Sequence, residues 1–148
     1  MPYEFKARRR VEFSDTDMAG IMHYSNFFRF METAEHAFYR SLGFSVVEHD
    51  ALPRIGWPRV HASCDYHKPL RFEDEVEIHL LVTEKRSKAI RYQVRFIRLN
   101  GAAPEEVARG ALTVVCVTHQ ADGTMKSFPI PEAIGAKIEV APASALAG

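Results

Sequence analysis

Between positions 12 and 27 the chain reads Glu12-Phe13-Ser14-Asp15-Thr16-Asp17-Met18-Ala19-Gly20-Ile21-Met22-His23-Tyr24-Ser25-Asn26-Phe27. Two aspartates and a glycine occupy an irregular stretch that runs directly into the longest helical pattern of the sequence. A helix start leaves its first N–H groups unpaired, and the aligned peptide dipoles make that end attractive to negative charge. Such a segment aims backbone N–H groups and one acid or base at a single spot. Attack on a carbonyl builds negative charge on its oxygen, which these N–H groups are suited to receive. The chemistry expected here is hydrolysis of an acyl thioester. Gly20 is expected to adopt a backbone conformation closed to other residues, or to let a substrate come close. Asp15 is read as a turn brace, and Asn26 as a cap or brace of the loop.

The elements that would hold this loop can be read from periodicity. Phe27, Phe30, Met31, Ala34, Phe38 and Leu42 recur at helical spacing and predict a helix over 25–42 with one buried face. Ser25 or Asn26 can cap its start, and Gly43 suits its end. Strands are expected over 4–13, 57–67 and 107–119, with Pro69 closing the second. A loop or short helical turn is expected over 48–54. Val76, Ile78, Leu80 and Val82 alternate with polar neighbours, as do Ile90, Tyr92, Val94 and Phe96. A one-residue slip would turn a strand inside out, so a hairpin of these two must pair Val82 with Tyr92 and Ile78 with Phe96. That register predicts a five-residue loop, Lys85-Arg86-Ser87-Lys88-Ala89, with three cations. Five strands span about 24 Å, and an 18-residue helix is about 27 Å long. One helix can therefore cover the sheet, giving an α+β layer whose flanks invite a second subunit.

Length and charge narrow the possibilities further. A chain of 148 residues fits one domain, here placed at 1–140, with 141–148 as a flexible tail. Nineteen basic and nineteen acidic side chains cancel, so no long-range field recruits nucleic acid or an anionic membrane. Cys64 and Cys116 lie in no CxxC frame and read as reduced, buried thiols. The first residues lack an apolar leader, and no segment approaches a membrane span. A soluble, cytoplasmic protein is expected. Seven histidines include no HExxH pair and no cysteine partner, so no metal site is expected.

The motif Asp15-Thr16-Asp17-x-x-Gly20-x-x-x-Tyr24-x-Asn26-Phe27, followed by Glu32, resembles the hotdog-fold acyl-CoA thioesterases of the 4-hydroxybenzoyl-CoA thioesterase family. Cys64-Asp65-Tyr66-x-x-Pro69 and Asp74-Glu75 are similar to that family's second strand and following turn, and the likeness covers about residues 5–131. It implies a five-stranded antiparallel sheet wrapped around one long central helix. It also implies that Asp17 is the catalytic carboxylate and that the Tyr24 backbone N–H polarises the thioester carbonyl. Asp17 would act as nucleophile or as general base. Many relatives place His after Tyr in this loop, whereas here the order is His23-Tyr24, so His23 is read as lining the pocket. Glu32 and Glu35 are reserve carboxylates on the helix. Gly20, His23, Asn26 and Glu32 are the expected substrate contacts, with Arg86 and Lys88 reaching the phosphates of coenzyme A. Arg8-Arg9-Arg10 is read as a solvated face, and Trp57 and Tyr66 as core or acyl-pocket walls.

The resulting expectation is a cytoplasmic acyl-CoA thioesterase without cofactor, working as a homodimer or as a homotetramer built from two dimers. Two other classes stand beside it: a hotdog dehydratase or hydratase acting on acyl thioesters, and a non-catalytic acyl-CoA binding protein.

Overall fold

A computed structural model describes residues 2–48 and 52–148. The apolar stripe folds as helix α1 (Asn26–Ser41), within one residue of its expected limits. Phe27, Phe30, Met31, Ala34 and Phe38 are buried along it, and Leu42 packs half-buried beyond its end. Ser25 occupies the cap position but its side chain makes no capping bond. Gly43 follows the helix at a φ of +95°, where a side chain would be strained.

Among the described residues, eight strands follow the chain order: β1 (Glu4–Arg10), β2 (Ile55–Gly56), β3 (Arg59–Tyr66), β4 (Glu75–Lys85), β5 (Ala89–Arg98), β6 (Glu105–Val115), β7 (Val117–His119) and β8 (Met125–Ser127). Five of them form one antiparallel sheet in the order β1-β4-β5-β6-β3. α1 packs on one face of this sheet, as the expected α+β hotdog arrangement requires. Val82 lies opposite Tyr92 and Ile78 opposite Phe96, the register that the alternation demands. The inward residues of β4 and β5 are fully buried against the helix.

Several boundaries differ from expectation, each for a local reason. The register shifts between Val82 and Glu84, so the strands continue until Lys85 faces Ile90. An extra residue in one strand of a pair is a bulge, and it leaves three connecting residues, Arg86-Ser87-Lys88, where five were expected. The strand expected over 57–67 breaks at Pro58, which has no N–H to give to a ladder. Ile55–Gly56 instead joins β7 and β8 in a separate three-stranded sheet. The strand expected over 107–119 divides at Cys116 between the two sheets. The first strand stops at Arg10, and Phe13–Asp15 forms a 3-10 turn with Phe13 in solvent. The loop expected over 48–54 falls partly outside the described residues.

Residues 141–148, expected as a flexible tail, are tied to the sheet. The Ala141 N–H donates to the Val82 carbonyl, and a short helix, α3 (Ala143–Leu146), follows a separate turn of helix, α2 (Glu132–Gly135). Arg95 donates to the Leu146 carbonyl and Arg109 to that of Gly148. Both cysteines are free thiols; Cys116 is buried, and Cys64 is only half-buried on β3. No helix among the described residues is long and apolar enough to cross a membrane.

One close approach fixes how α1 sits. A Cβ added at Gly110 on β6 would lie 2.2 Å from the Met31 Cε and 2.8 Å from the Ser63 carbonyl oxygen. Met31 thus drops onto the bare backbone of the sheet, beside a rigid strand that cannot yield. Overpacking of this kind costs about 1–3 kcal/mol. Gly110→Ala is expected to lower Tm by on the order of 5 °C in a thermal melt, with retention of the native circular dichroism spectrum.

Candidate active site

The loop ahead of α1 is a small, self-braced hairpin. The Glu12 N–H donates to the Asp15 Oδ2 at 2.9 Å, which holds the 3-10 turn. The Asp15 carbonyl accepts the His23 N–H at 2.9 Å and the Asn26 Nδ2 at 2.8 Å. Asp15 and Asn26 therefore act as braces. Thr16 and Met22 form an antiparallel bridge that closes the turn between them. Within that turn the Gly20 N–H donates to the Asp17 carbonyl and the Ala19 N–H to the Asp17 Oδ1, both at 2.9 Å. Gly20 has a φ of +81° with no atom near its missing Cβ. Glycine is thus required there for its backbone conformation, not for close approach. The Met22 N–H donates to the Leu70 carbonyl at 2.7 Å and fastens the turn to the segment after β3.

This bracing leaves two groups unused. Among the described residues, the Asp17 Oδ2 accepts no hydrogen bond, and the Tyr24 N–H donates none. Both residues line one cavity of about 450 Å³ beside the start of α1. Its apolar wall is Ile21, Met22, Phe27, Tyr66 and Pro69, while His67 and Lys68 supply its basic groups. The Tyr66 ring meets Phe27 edge-on at 4.9 Å, and its hydroxyl donates to the Tyr24 carbonyl at 3.0 Å. Chemically, the cavity offers a carboxylate with one free oxygen, an unpaired N–H at a helix start and an aromatic wall.

The other expected contacts are distributed around this cavity or away from it. His23 stacks on the Tyr24 ring with centroids 4.5 Å apart, and its Nδ1 accepts the Ser25 N–H and lies 2.7 Å from the Ser25 hydroxyl. It braces the helix start from outside the cavity lining. Glu32 lies in a neighbouring polar cleft with Arg9, Asp15, Asn26 and Arg29, and its carboxylate is 3.8 Å from Arg59. Arg86 pairs with Glu84 at the far hairpin, next to exposed Lys88, in clefts that share no residue with the Asp17 cavity. Trp57 is core, packed on Tyr39, whereas Tyr66 is a wall of the cavity. His67 and Lys68 were not singled out from sequence as cavity residues. Their placement immediately before the strand-ending Pro69, at the mouth of an edge strand, was the available signal.

Residues 11–138 match the family model described as the Thioesterase-like superfamily. The chain belongs to that superfamily. A solved gentisyl-coenzyme A thioesterase is 32% identical, with a TM-score of 0.75, and covers 87% of this chain and 98% of its own. A protein of Aquifex aeolicus that carries a provisional esterase name is 42% identical over 86 residues, which span 57% of this chain and 63% of that protein. The 4-hydroxybenzoyl-CoA thioesterase of Pseudomonas sp. strain CBS-3 shares the fold, with a TM-score of 0.79, 20% identity, and 91% of this chain and 99% of that one covered.

In this superfamily member the reserve carboxylate Glu35 lies elsewhere, sealed beneath α1. It is fully buried; one oxygen meets the Arg59 guanidinium at 2.5 Å, and the other, Oε2, has no partner among the described residues. Burial, only partly offset by Arg59, pushes its pKa from an ordinary 4.5 up to about 7. The neighbouring phenols Tyr39 and Tyr92, bonded to each other, are raised as well, chiefly by burial. The protonated acid is thus the form the fold prefers. Below the unfolded pKa both states are protonated and nothing is lost. As pH climbs from 4.5 to 7 the unfolded chain gives up its proton first, and stability falls. At about 1.4 kcal/mol per pH unit, the penalty reaches at most about 3 kcal/mol. Glu35→Gln lacks this titration. Relative to wild type, its stability in urea melts is expected to improve by up to about 3 kcal/mol between pH 4.5 and 7.5; a gap that stays constant with pH would refute the buried charge.

Proposed function

We propose that this chain is an acyl-CoA thioesterase that hydrolyses a CoA thioester to the free acid and CoA, without a cofactor. The observation that supports it is that Asp17, with one carboxylate oxygen free, and Tyr24, with its N–H free among the described residues, line the same cavity. The thioester carbonyl oxygen accepts the Tyr24 N–H, which stabilises the negative charge that develops on attack. Asp17 either removes a proton from the attacking water, or attacks the carbonyl itself and gives an anhydride that water then opens. In both routes the thiolate of CoA leaves and takes up a proton. Gly20, His23 and Asn26 serve by shaping the loop. Glu32 and Arg86, on other clefts of the same chain, and exposed Lys88 reach a ligand here only from a neighbouring copy. The aromatic wall of Phe27 and Tyr66 suits a flat acyl group, and the gentisyl-coenzyme A thioesterase among the relatives acts on one such ester by its name.

The working form is a cytoplasmic homodimer, or a homotetramer made from two such dimers. Among the described residues β3 is paired on its β6 side alone, and past the irregularity between Arg59 and His61 its open edge carries neither proline nor lysine. An open strand edge is a template for pairing with another strand. The Asp17 cavity opens at the Tyr66 end of that edge, so a second copy paired there would wall it. Val60, 63% exposed on the edge, is the natural lever. Val60→Glu is expected to convert a dimer into a monomer in analytical ultracentrifugation.

Thiol release from a panel of aromatic and aliphatic acyl-CoA esters tests the activity. Asp17→Asn is expected to lower kcat by about 10²–10⁴-fold on the best substrate, with the melting temperature kept. Full activity in that variant would overturn the assignment. An enoyl product without thiol would mark a hydratase, and tight binding without turnover a carrier.

A further inference from the structure

We infer that Tyr66 is a positioning residue for the proposed reaction: its hydroxyl sets the orientation of the Tyr24 backbone and so aims the Tyr24 N–H into the cavity. This rests on the thioesterase reading and goes beyond it, since it assigns work to a side chain on the edge strand.

An N–H that must stay free for a substrate cannot be held by its own hydrogen bond. Its direction depends on what fixes the rest of that residue. The Tyr24 side chain is 65% exposed, and among the described residues its ring stacks on His23 alone. Its carbonyl receives the Phe27 N–H at 3.4 Å, beyond the usual range for such bonds. The Tyr66 hydroxyl, at 3.0 Å, is the closer of its two partners. Residue 24 lies two positions before the first residue of α1, outside both the helix ladder and the sheet ladders.

Tyr66 is fixed well enough to transmit that constraint. Its backbone is in register with Ala108 on β6, and its ring is set edge-on against Phe27, which is buried in the first turn of α1. Among the described residues, its hydroxyl makes the one side-chain hydrogen bond between β3 and the stretch 16–25. Burial raises the phenol to about 12, with Cys64 adding to the effect, so the hydroxyl keeps its proton and remains a donor. The same side chain therefore closes the cavity and clamps the oxyanion donor to the sheet. Small errors in the aim of such a donor are costly, because its worth depends on where charge develops.

Tyr66→Phe removes the hydroxyl and keeps the wall. Steady-state thioester hydrolysis is expected to show kcat down by about ten-fold with KM within about two-fold and an unchanged melting temperature. In amide nuclear magnetic resonance spectra of the same variant, the Tyr24 and Ser25 signals should shift and exchange faster with solvent. Tyr66→Leu, which also removes the wall, should raise KM in addition. A Tyr66→Phe enzyme with wild-type kcat, or with its whole loss in KM, would overturn the inference, as would an unmoved Tyr24 amide. If the wild type releases no thiol from any ester, the proposed function fails, and the amide signals still decide the role of Tyr66.

Discussion

The burial of one helix face on one sheet is the constraint from which the rest of the structure follows. Phe27, Phe30, Met31, Ala34 and Phe38 leave water together because α1 lies along the apolar face of the five-stranded sheet, with Phe27 on Phe96, Phe38 on Tyr92 and Met31 on Gly110. The bare backbone at Gly110 lets Met31 seat deeply, which fixes the height and register of the helix above the strands. Once those are fixed, the position of its first turn is no longer adjustable. The N-terminal end comes to rest beside the end of β3, where the loop 16–24 has to bridge the remaining distance. The cavity is the space that this bridge fails to fill.

Two carboxylates on this chain illustrate how place determines use. Asp17 sits in solvent at the lip of a cavity, fastened by a single bond through one oxygen. Glu35 sits eighteen residues on, inside the core, held to Arg59 with its second oxygen unmatched. The buried acid is the more perturbed of the two, and perturbation often marks function. Here we read it as structural, since the side chain is fully buried and its partner is Arg59 on the edge strand. Exposure at a cavity, beside an unpaired donor, is what makes Asp17 the acid of the proposed reaction and Glu35 a structural one.

The helix, the register of β4 with β5 and the loop ahead of α1 were legible in the sequence because each rests on a strict periodicity or a fixed spacing. Val82 against Tyr92 follows from the two-residue alternation alone. What failed did so where a single residue interrupts a longer pattern. Pro58 and Cys116 divide stretches that read in sequence as single continuous strands, and the extra residue near Thr83 shortens a turn without disturbing the hydrophobic order on either side. The segment 141–148 looked loose because alanines carry no packing signal, yet it is held by arginines from β5 and β6 that bond its backbone. At the candidate site, Asp17 and Tyr24 come from the family motif, and both line one cavity. Tyr66, His67 and Lys68 were harder to place because they reach the cavity through sheet topology, 42 residues from Tyr24 in the case of Tyr66.

The turn that Asp17 makes with its own neighbour has a consequence for chain length at that position. Its Oδ1 reaches the Ala19 N–H because the carboxyl is a single methylene from the backbone, the reach on which an Asx turn depends. Glutamate would carry the same charge on a longer arm and would leave that N–H unmatched. The turn at residues 17–19 is thus matched by geometry to the shorter of the two acids.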